Sequence, residues 1–224
     1  MSSLAAIIVS SYLLGSIPFG YLLVRIFRGE DVRQSGSGNI GATNVSRKSP
    51  VLGVITLLLD ALKGSAAVLL AAYVTRPTAS QCIPAKQRYV LMSLAALFAV
   101  IGHMFPLWLK FRGGKGVATA LGSFVLISPG AVLVSALVFL IVVGGFRYVS
   151  LGSITAVAAF PFAVWAFHES WISRPALALM SLTSVLIIAK HHANIRRLMK
   201  GTENRFGSKR QQPANGDSAR VHKR

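Results

Sequence analysis

GKGVATALGSFVLISPGAVLVSALVFLIVVGGF, residues 114–146, is the stretch on which the fold turns. Read without interruption it is one long apolar helix. Read with Ser128-Pro129-Gly130 as a break, it is two spans joined by a tight reversal. An interior proline removes a helix hydrogen bond and clashes with the preceding turn, so both a kink and a re-entry turn are open. Arbitration has to come from the rest of the chain.

Around this stretch lie other apolar runs. A bilayer core of about 30 Å needs about 20 helical residues. With the break, the segments 4–24, 51–75, 89–109, 114–128, 130–146, 149–167 and 176–190 read as seven spans. The first is not a cleavable leader, since it has no basic start and runs on through Pro18 and Gly20. In this arrangement the segments 25–48, 110–115, 147 and 190–224 fall on one side and hold 19 of the 24 Lys and Arg. The segments 76–88 and 174 fall on the other with 4, and Lys63 lies inside a span. Fusing residues 114–146 into one helix changes the parity and gives 9 against 14. Basic residues concentrate in cytoplasmic loops, so the broken reading is expected. The fold class is then all-α and integral to the membrane, with about seven helices, the N-terminus outside and the C-terminus cytoplasmic. Residues 1–207 form a single transmembrane domain and residues 208–224 a basic, solvated tail that meets anionic lipid headgroups.

Composition supports the class. Of 224 residues, 53% are hydrophobic and only 13% charged, yet the net charge is +18; mean hydropathy is +0.59. A soluble domain cannot hide so much apolar surface, and a nucleic-acid binder of this charge is not this apolar. Cys82 is the only cysteine, so no internal disulfide forms.

Three cytoplasmic segments are dense in Gly, Asn and basic residues. SGSGNIGATNVSR, residues 35–47, lets glycines turn successive N–H groups toward one anion. Ser37, Asn39, Thr43 and Asn44 add side-chain donors, and Arg47 can grip a phosphate bidentately. The plain alternative is a flexible loop, but such linkers seldom end in a basic residue set at a helix start. GHMFPLWLKFRGGKGVAT, residues 102–119, feeds Gly113, Gly114, Lys115 and Gly116 into a span. Free N–H groups and the positive helix end suit an anion there. The spacing is not that of a nucleotide-binding P-loop, because Gly116 follows Lys115. Lys110 and Arg112 read as positive-inside anchors, and His103 reads equally as a structural or a site residue. HHANIRRLMKGTE, residues 191–203, sets His191 and Asn194 on one helical face. Adjacent His191 and His192 do not face one site, so a metal is not expected. Within the second span, Asp60 and Lys63 stand at i, i+3 and read as either a structural clamp or a site. No nucleophile elbow and no carboxylate pair occurs, so the chemistry indicated is transfer between phosphorylated partners.

Taken together, Ser37-Gly-Asn-Ile-Gly-Ala-Thr-Asn44 with Arg47, Asp60-x-x-Lys-Gly64, Gly102-His103-x-Phe-Pro106, Phe111-x-Gly-Gly-Lys-Gly-Val-Ala-Thr119 and His191-x-x-Asn-Ile-x-Arg-Leu198 with Gly201-x-Glu203 resemble the acyl-phosphate-dependent glycerol-3-phosphate acyltransferases of bacterial membranes. The resemblance runs from about residue 10 to about residue 207; His192 departs from it, standing where the family more often has Arg or Lys. It implies transfer of a fatty acyl group from acyl phosphate to the 1-hydroxyl of glycerol 3-phosphate, giving lysophosphatidic acid and phosphate as the first step of phospholipid synthesis. It implies a multi-pass protein of the bacterial inner membrane with its active site facing the cytoplasm. No cofactor and no metal are implied. The partners are the two substrates, membrane lipids and a peripheral enzyme that makes acyl phosphate; no nucleic acid is implied. Ser37, Arg47, Lys115, His191 and Asn194 would be the catalytic set that holds glycerol 3-phosphate. Gly38, Asn39, Gly41, Thr43, Asn44, Lys63, His103 and Thr119 would bind or shape the substrate site. Gly113, Gly114 and Gly116 would cradle the acyl-phosphate headgroup with backbone N–H groups. The base is either His191 or the phosphate of glycerol 3-phosphate. A small anion or phosphate-ester transporter is the competing reading. It calls for polar residues through the outer halves of the spans, which are apolar here.

Overall fold

The computed structural model describes residues 3–77, 83–167, 169 and 171–207; Cys82 and the 208–224 tail lie outside them. All regular structure among the described residues is helical. The first apolar segment is broken, with α1 at Ser3–Gly15 and α2 at Phe19–Arg28. Pro18 has no N–H to continue α1 and precedes the first turn of α2. After Gly29 ends α2 in the left-handed region, a loop carries the one-turn helix α3, Ala42–Val45. The long α4, Pro50–Val74, starts with Ser49 as N-cap and proline in its first turn. Then come α5 (Ala85–Met104), α6 (Val117–Phe124), α7 (Pro129–Phe146), α8 (Val149–Phe167), α9 (Arg174–Lys190) and α10 (His192–Met199).

The break at Ser128 is present: α6 ends at Phe124 and a new helix begins at Pro129, so residues 114–146 are not one helix. The expected span at 114–128 is much shorter than anticipated. Eight helical residues rise about 12 Å, well under the thickness of a bilayer core. The helix starts late, with Gly116 at φ 87° before it, and stops early, since the chain passes into a turn at residues 125–127. Among the described residues, five segments are long and apolar enough to cross a membrane, and six if α9 and α10, bent by 55°, count as one.

Close helix contacts hold this frame. A methyl group on Gly122 would run into the carbonyl of Ala61, and one on Gly64 into that of Thr119, so α4 and α6 touch backbone to backbone. Gly15 and Gly102 do the same for α1 and α5. The loops separate into two ends. At one, Ser128 Oγ lies 3.2 Å from Glu169 Oε1, and the Tyr89 and Trp171 rings are 6.3 Å apart. At the other, Phe206 N–H donates to Arg147 O at 2.6 Å, and a shared depression joins residues 31–38, 111–113 and 190.

Candidate active site

Four parts of the chain build the second end. The first is the loop after α2. Gly36 (φ 60°) and Gly38 (φ 69°) turn it through the left-handed region. Asn44 sits at its centre, 3% exposed. Its Nδ2 donates to Val32 O at 3.1 Å, Ser35 O at 3.1 Å and Asn39 O at 2.8 Å, while its Oδ1 accepts from Ser37 N–H at 2.9 Å. This corrects the expectation that Asn44 binds substrate, because its amide already ties the loop together. Asn39 Oδ1 accepts from Gly41 N–H at 2.8 Å and closes the next turn. Ser37, Thr43 and Arg47 are exposed at the surface of this scaffold. The Arg47 guanidinium lies alongside Gly36, where a Cβ would meet Nη1 at 3.1 Å.

The second part is the glycine loop. Gly113 N–H donates to Met104 O at 3.1 Å and Gly114 N–H to His103 O at 2.9 Å. These two amides therefore fasten the loop to the end of α5 and are not open to an acyl-phosphate headgroup, contrary to expectation. Lys115 follows, half-buried and ahead of α6, outside the spanning segments. Burial, with help from the fields of Arg197 and Arg47, pushes its ammonium down to about 8, against the opposing pull of Glu203.

Behind that loop stands a buried group. Lys63 Nζ lies 2.8 Å from Asp60 Oδ1, 2.8 Å from Ile17 O and 2.9 Å from His103 Nδ1. The edge of the His103 ring at Nε2 fills the space that a Cβ on Gly114 would need. Lys63 thus donates to a carbonyl at the break of the first helix. His103 in turn braces the glycine loop. Both were expected in the substrate site, but their polar atoms are turned to each other and both are buried. Thr119, also expected there, is fully buried where α6 meets α4.

The last part is the bend between α9 and α10. His191 is 1% exposed, and its Nδ1 is 2.8 Å from Ile187 O. A carbonyl only accepts, so Nδ1 carries the hydrogen and Nε2 of the neutral ring presents a lone pair. Asn194 Nδ2 donates to Glu203 Oε1 at 2.8 Å, Ser150 Oγ donates to the same oxygen at 2.9 Å, and Arg197 Nε donates to Oε2 at 2.6 Å. Burial pushes the Glu203 carboxyl up, but these three donors outweigh it and hold it below the usual carboxylate range. Gly201, at φ 66°, makes the turn that brings Glu203 back onto α10.

Arg47, Lys115, Arg197 and Glu203 share one electrostatic neighbourhood, and Lys115 and Glu203 also act on His191. Three cations and one carboxylate make the field at Lys115, and its net sign is positive, as an anionic ligand requires. In the sequence, Glu203 and Arg197 belong to a motif and carry no site role of their own. The available signal was that Glu203 is the lone acid in the basic stretch from residue 190 to 210.

A sequence profile of glycerol-3-phosphate acyltransferases matches residues 5–201. The chain belongs to this family. It is 47% identical over 208 residues to a glycerol-3-phosphate acyltransferase of Syntrophotalea carbinolica, covering 92% of this chain and 99% of the relative. It is 45% identical to that of Ehrlichia canis, covering 92% of this chain and all of the relative. Among solved structures it is similar to PlsY (YgiH), an integral membrane glycerol 3-phosphate acyltransferase, in its glycerol 3-phosphate form. The TM-score is 0.80 at 40% identity, over 92% of this chain and 96% of the other. The lysophosphatidic acid form gives 0.77 at 38% identity, with the same coverage of both chains. Family and frame agree with an all-helical, multi-pass membrane protein.

Proposed function

We propose that the chain transfers a fatty acyl group from acyl phosphate to the 1-hydroxyl of glycerol 3-phosphate, releasing lysophosphatidic acid and phosphate. Family membership supplies the reaction class. The observation that carries the site assignment is half-buried Lys115, in the field of Arg47 and Arg197, beside the lone pair of His191. Arg47 and Lys115 hold the phosphate of glycerol 3-phosphate, with Ser37 at the loop tip. Asn194, fixed by Glu203, and His191 orient the hydroxyl.

The donor is already activated, so no covalent enzyme intermediate is needed. The hydroxyl oxygen forms the new C–O bond to the acyl carbon, the bond from that carbon to the phosphate oxygen breaks, and the phosphate leaves with the electron pair. The 1-hydroxyl proton passes to a phosphate oxygen of glycerol 3-phosphate, while His191 Nε2 accepts from the neighbouring 2-hydroxyl and so aims the 1-hydroxyl. Nearby cations stabilise the negative charge that develops on the carbonyl oxygen and leaving group. His191→Gln, which keeps an acceptor, retains most turnover in this scheme; its complete inactivation would instead make His191 the base.

The same proposal sets the protein in the bacterial cytoplasmic membrane, N-terminus outside and active site facing the cytoplasm. Seven crossings are supported by the 19-to-4 charge division and by the sorting of the loops into two ends. The short α6 connects these ends, and its contacts with α4 cover a backbone that lipid could not. Residues 1–207 are one domain and 208–224 a basic tail. A peripheral enzyme supplies the acyl phosphate. Phosphate release is measured from purified protein in lipid cubic phase with palmitoyl phosphate, with and without glycerol 3-phosphate. Acceptor-dependent release is expected; its absence from folded protein overturns the reaction. Acyl-CoA and acyl carrier protein in place of acyl phosphate test the donor.

A further inference from the structure

Little within α10 fixes its own direction. It has eight residues, too few for a helix to stand unsupported in water. Asn194 is its one buried residue, so no apolar face anchors it by packing. Yet α10 carries Asn194 and follows the 55° bend beside His191, where a small swing would misplace a group that orients the acceptor. Its far end has to be held from outside.

The turn between α7 and α8 does this. Arg147 and Tyr148 alone join the two helices, and both reach the strap that follows α10. Phe206 N–H donates to Arg147 O at 2.6 Å, and Arg147 Nε donates back to Phe206 O at 3.2 Å. The same guanidinium lies along Gly207, where a Cβ would meet Nη2 at 3.1 Å. Arg205 Nε donates to Tyr148 Oη at 3.0 Å, with its guanidinium 5.4 Å from the centre of that ring. Two residues into α8, Ser150 Oγ donates to Glu203 Oε1 at 2.9 Å. The strap is thus pinned to 147–150 through Glu203, Arg205 and Phe206, and Glu203 passes the constraint to Asn194 Nδ2 at 2.8 Å.

The backbone of Arg147 carries strain at this point. It sits in the left-handed region at φ 62°, and its N–H ends α7 by donating to Val143 O at 2.8 Å. Glycine is the usual residue at such a helix end, because a Cβ is strained there. Gly144 and Gly145 come just before, with open space around both and neither in the left-handed region. The residue that does adopt it keeps a guanidinium that glycine would lose, and strain of this kind persists where the surroundings use it.

We propose that Arg147 and Tyr148 are positioning residues for acyl transfer: they clasp the strap, the strap fixes Glu203, and Glu203 fixes Asn194 beside the acceptor hydroxyl. This rests on the reaction proposed above and adds two residues that are assigned to neither substrate.

Arg147→Gly tests the clasp, because it relieves the backbone and releases the strap at once. Its melting temperature is expected to equal or exceed the parent's, since glycine accepts the left-handed turn. Its kcat for acyl transfer from palmitoyl phosphate falls about fivefold, while KM for glycerol 3-phosphate stays within about twofold. Arg147→Lys, which keeps a donor on a long side chain, recovers most of kcat. Tyr148→Phe keeps the ring and loses the acceptor for Arg205, so kcat falls about twofold. In Glu203→Gln the route is already weakened, so adding Arg147→Gly lowers kcat by less than it does alone. Equal falls in both backgrounds overturn the route through Glu203. An unchanged kcat in Arg147→Gly, a rise in KM alone, or a fall in kcat matched by a drop in melting temperature overturns the positioning role. A second measurement needs no turnover: amide hydrogen exchange in α10 is expected to quicken severalfold in Arg147→Gly while α4 and α5 stay as in the parent. Unchanged exchange in α10 overturns the clasp. If no donor supports acyl transfer in the parent but exchange in α10 still depends on Arg147, the reaction fails and the clasp stands.

Discussion

The Asp60–Lys63–His103 group and the Arg47–Lys115–Arg197–Glu203 cluster draw on the same few side-chain types at two depths. In the first, one ammonium meets one carboxylate, one imidazole and one carbonyl within 2.9 Å, and no charge is left over. In the second, a single carboxylate organises an asparagine, a serine and an arginine, and the named side chains together keep a net positive charge. Neutralised, buried charge holds helices in place; surplus, half-buried charge is available to a ligand. Gly114 connects the two regions, since its flat face rests on the ring of His103 and its neighbour is Lys115.

Lys63→Met breaks the comparison most directly. It leaves Asp60 in the span with only the His103 ring, 3.6 Å away, beside it, and removing one partner of a buried pair costs about 3–5 kcal/mol. A large drop in melting temperature is expected, with KM for glycerol 3-phosphate unchanged in the protein that remains folded. Asp60→Asn added to Lys63→Met recovers most of the stability. A raised KM at normal stability would make Lys63 a substrate ligand after all.

Lys115→Met is the counterpart in the cluster. Stability is expected to hold, because a half-buried cation without an ion partner is removed. Turnover falls by about 10²–10³, the usual effect of losing one donor to developing charge. The titration of Lys115 adds a pH test. Its ammonium is charged below about 8 and neutral above it, so the phosphate grip is complete below that value and is lost as pH rises through it. KM for glycerol 3-phosphate then climbs up to about tenfold per pH unit. Lys115→Arg, charged throughout, removes the alkaline limb even where its fit is poorer.

Glu203→Gln separates positioning from attraction. The surplus positive charge grows, so glycerol 3-phosphate binds no worse. But Arg197 and Asn194 lose a charged acceptor, an interaction of about 1.5–3 kcal/mol. The expected result is a kcat lowered about tenfold with KM flat or reduced. A rise in KM alone would show that Glu203 only shapes the pocket.

Much of this was legible before any coordinates. Long apolar runs read out the helices, and 149–167 matches α8 at both ends. Arg47, Lys115, His191 and Asn194 stand out in the sequence because they lie in polar, basic segments between apolar runs. Three things were hidden, each for a physical reason. Asn44 looks like a donor aimed outward, yet a loop with two left-handed glycines needs an internal acceptor and donor, and only the folded path shows it filling both. Lys63 and His103 are 40 residues apart, and their pairing depends on how α4 and α5 rotate against each other. The shortness of α6 follows from the glycine loop fastened to α5 before it and the turn at residues 125–127 after it, which hydropathy cannot report because the residues involved are apolar or small either way.

Ser150→Ala gives the smallest effect and the finest test of the cluster. Its hydroxyl is one of three donors to Glu203 and the only one supplied by α8. A neutral hydrogen bond contributes about 0.5–1.5 kcal/mol, so kcat falls only a few-fold. The sign of the pH effect is more telling than its size. These donors hold the Glu203 carboxyl below the ordinary range. The ion network is therefore intact above that range and is lost as pH falls through the folded value. Removing Ser150 raises that value, so the acid limb of kcat moves toward neutral pH while the alkaline limb, which belongs to Lys115, stays where it is. A shift of both limbs together would mean that Glu203 and Lys115 titrate as one unit. A shift of neither would mean that the Ser150 hydroxyl only links α8 to α10 and leaves the charge of the cluster untouched.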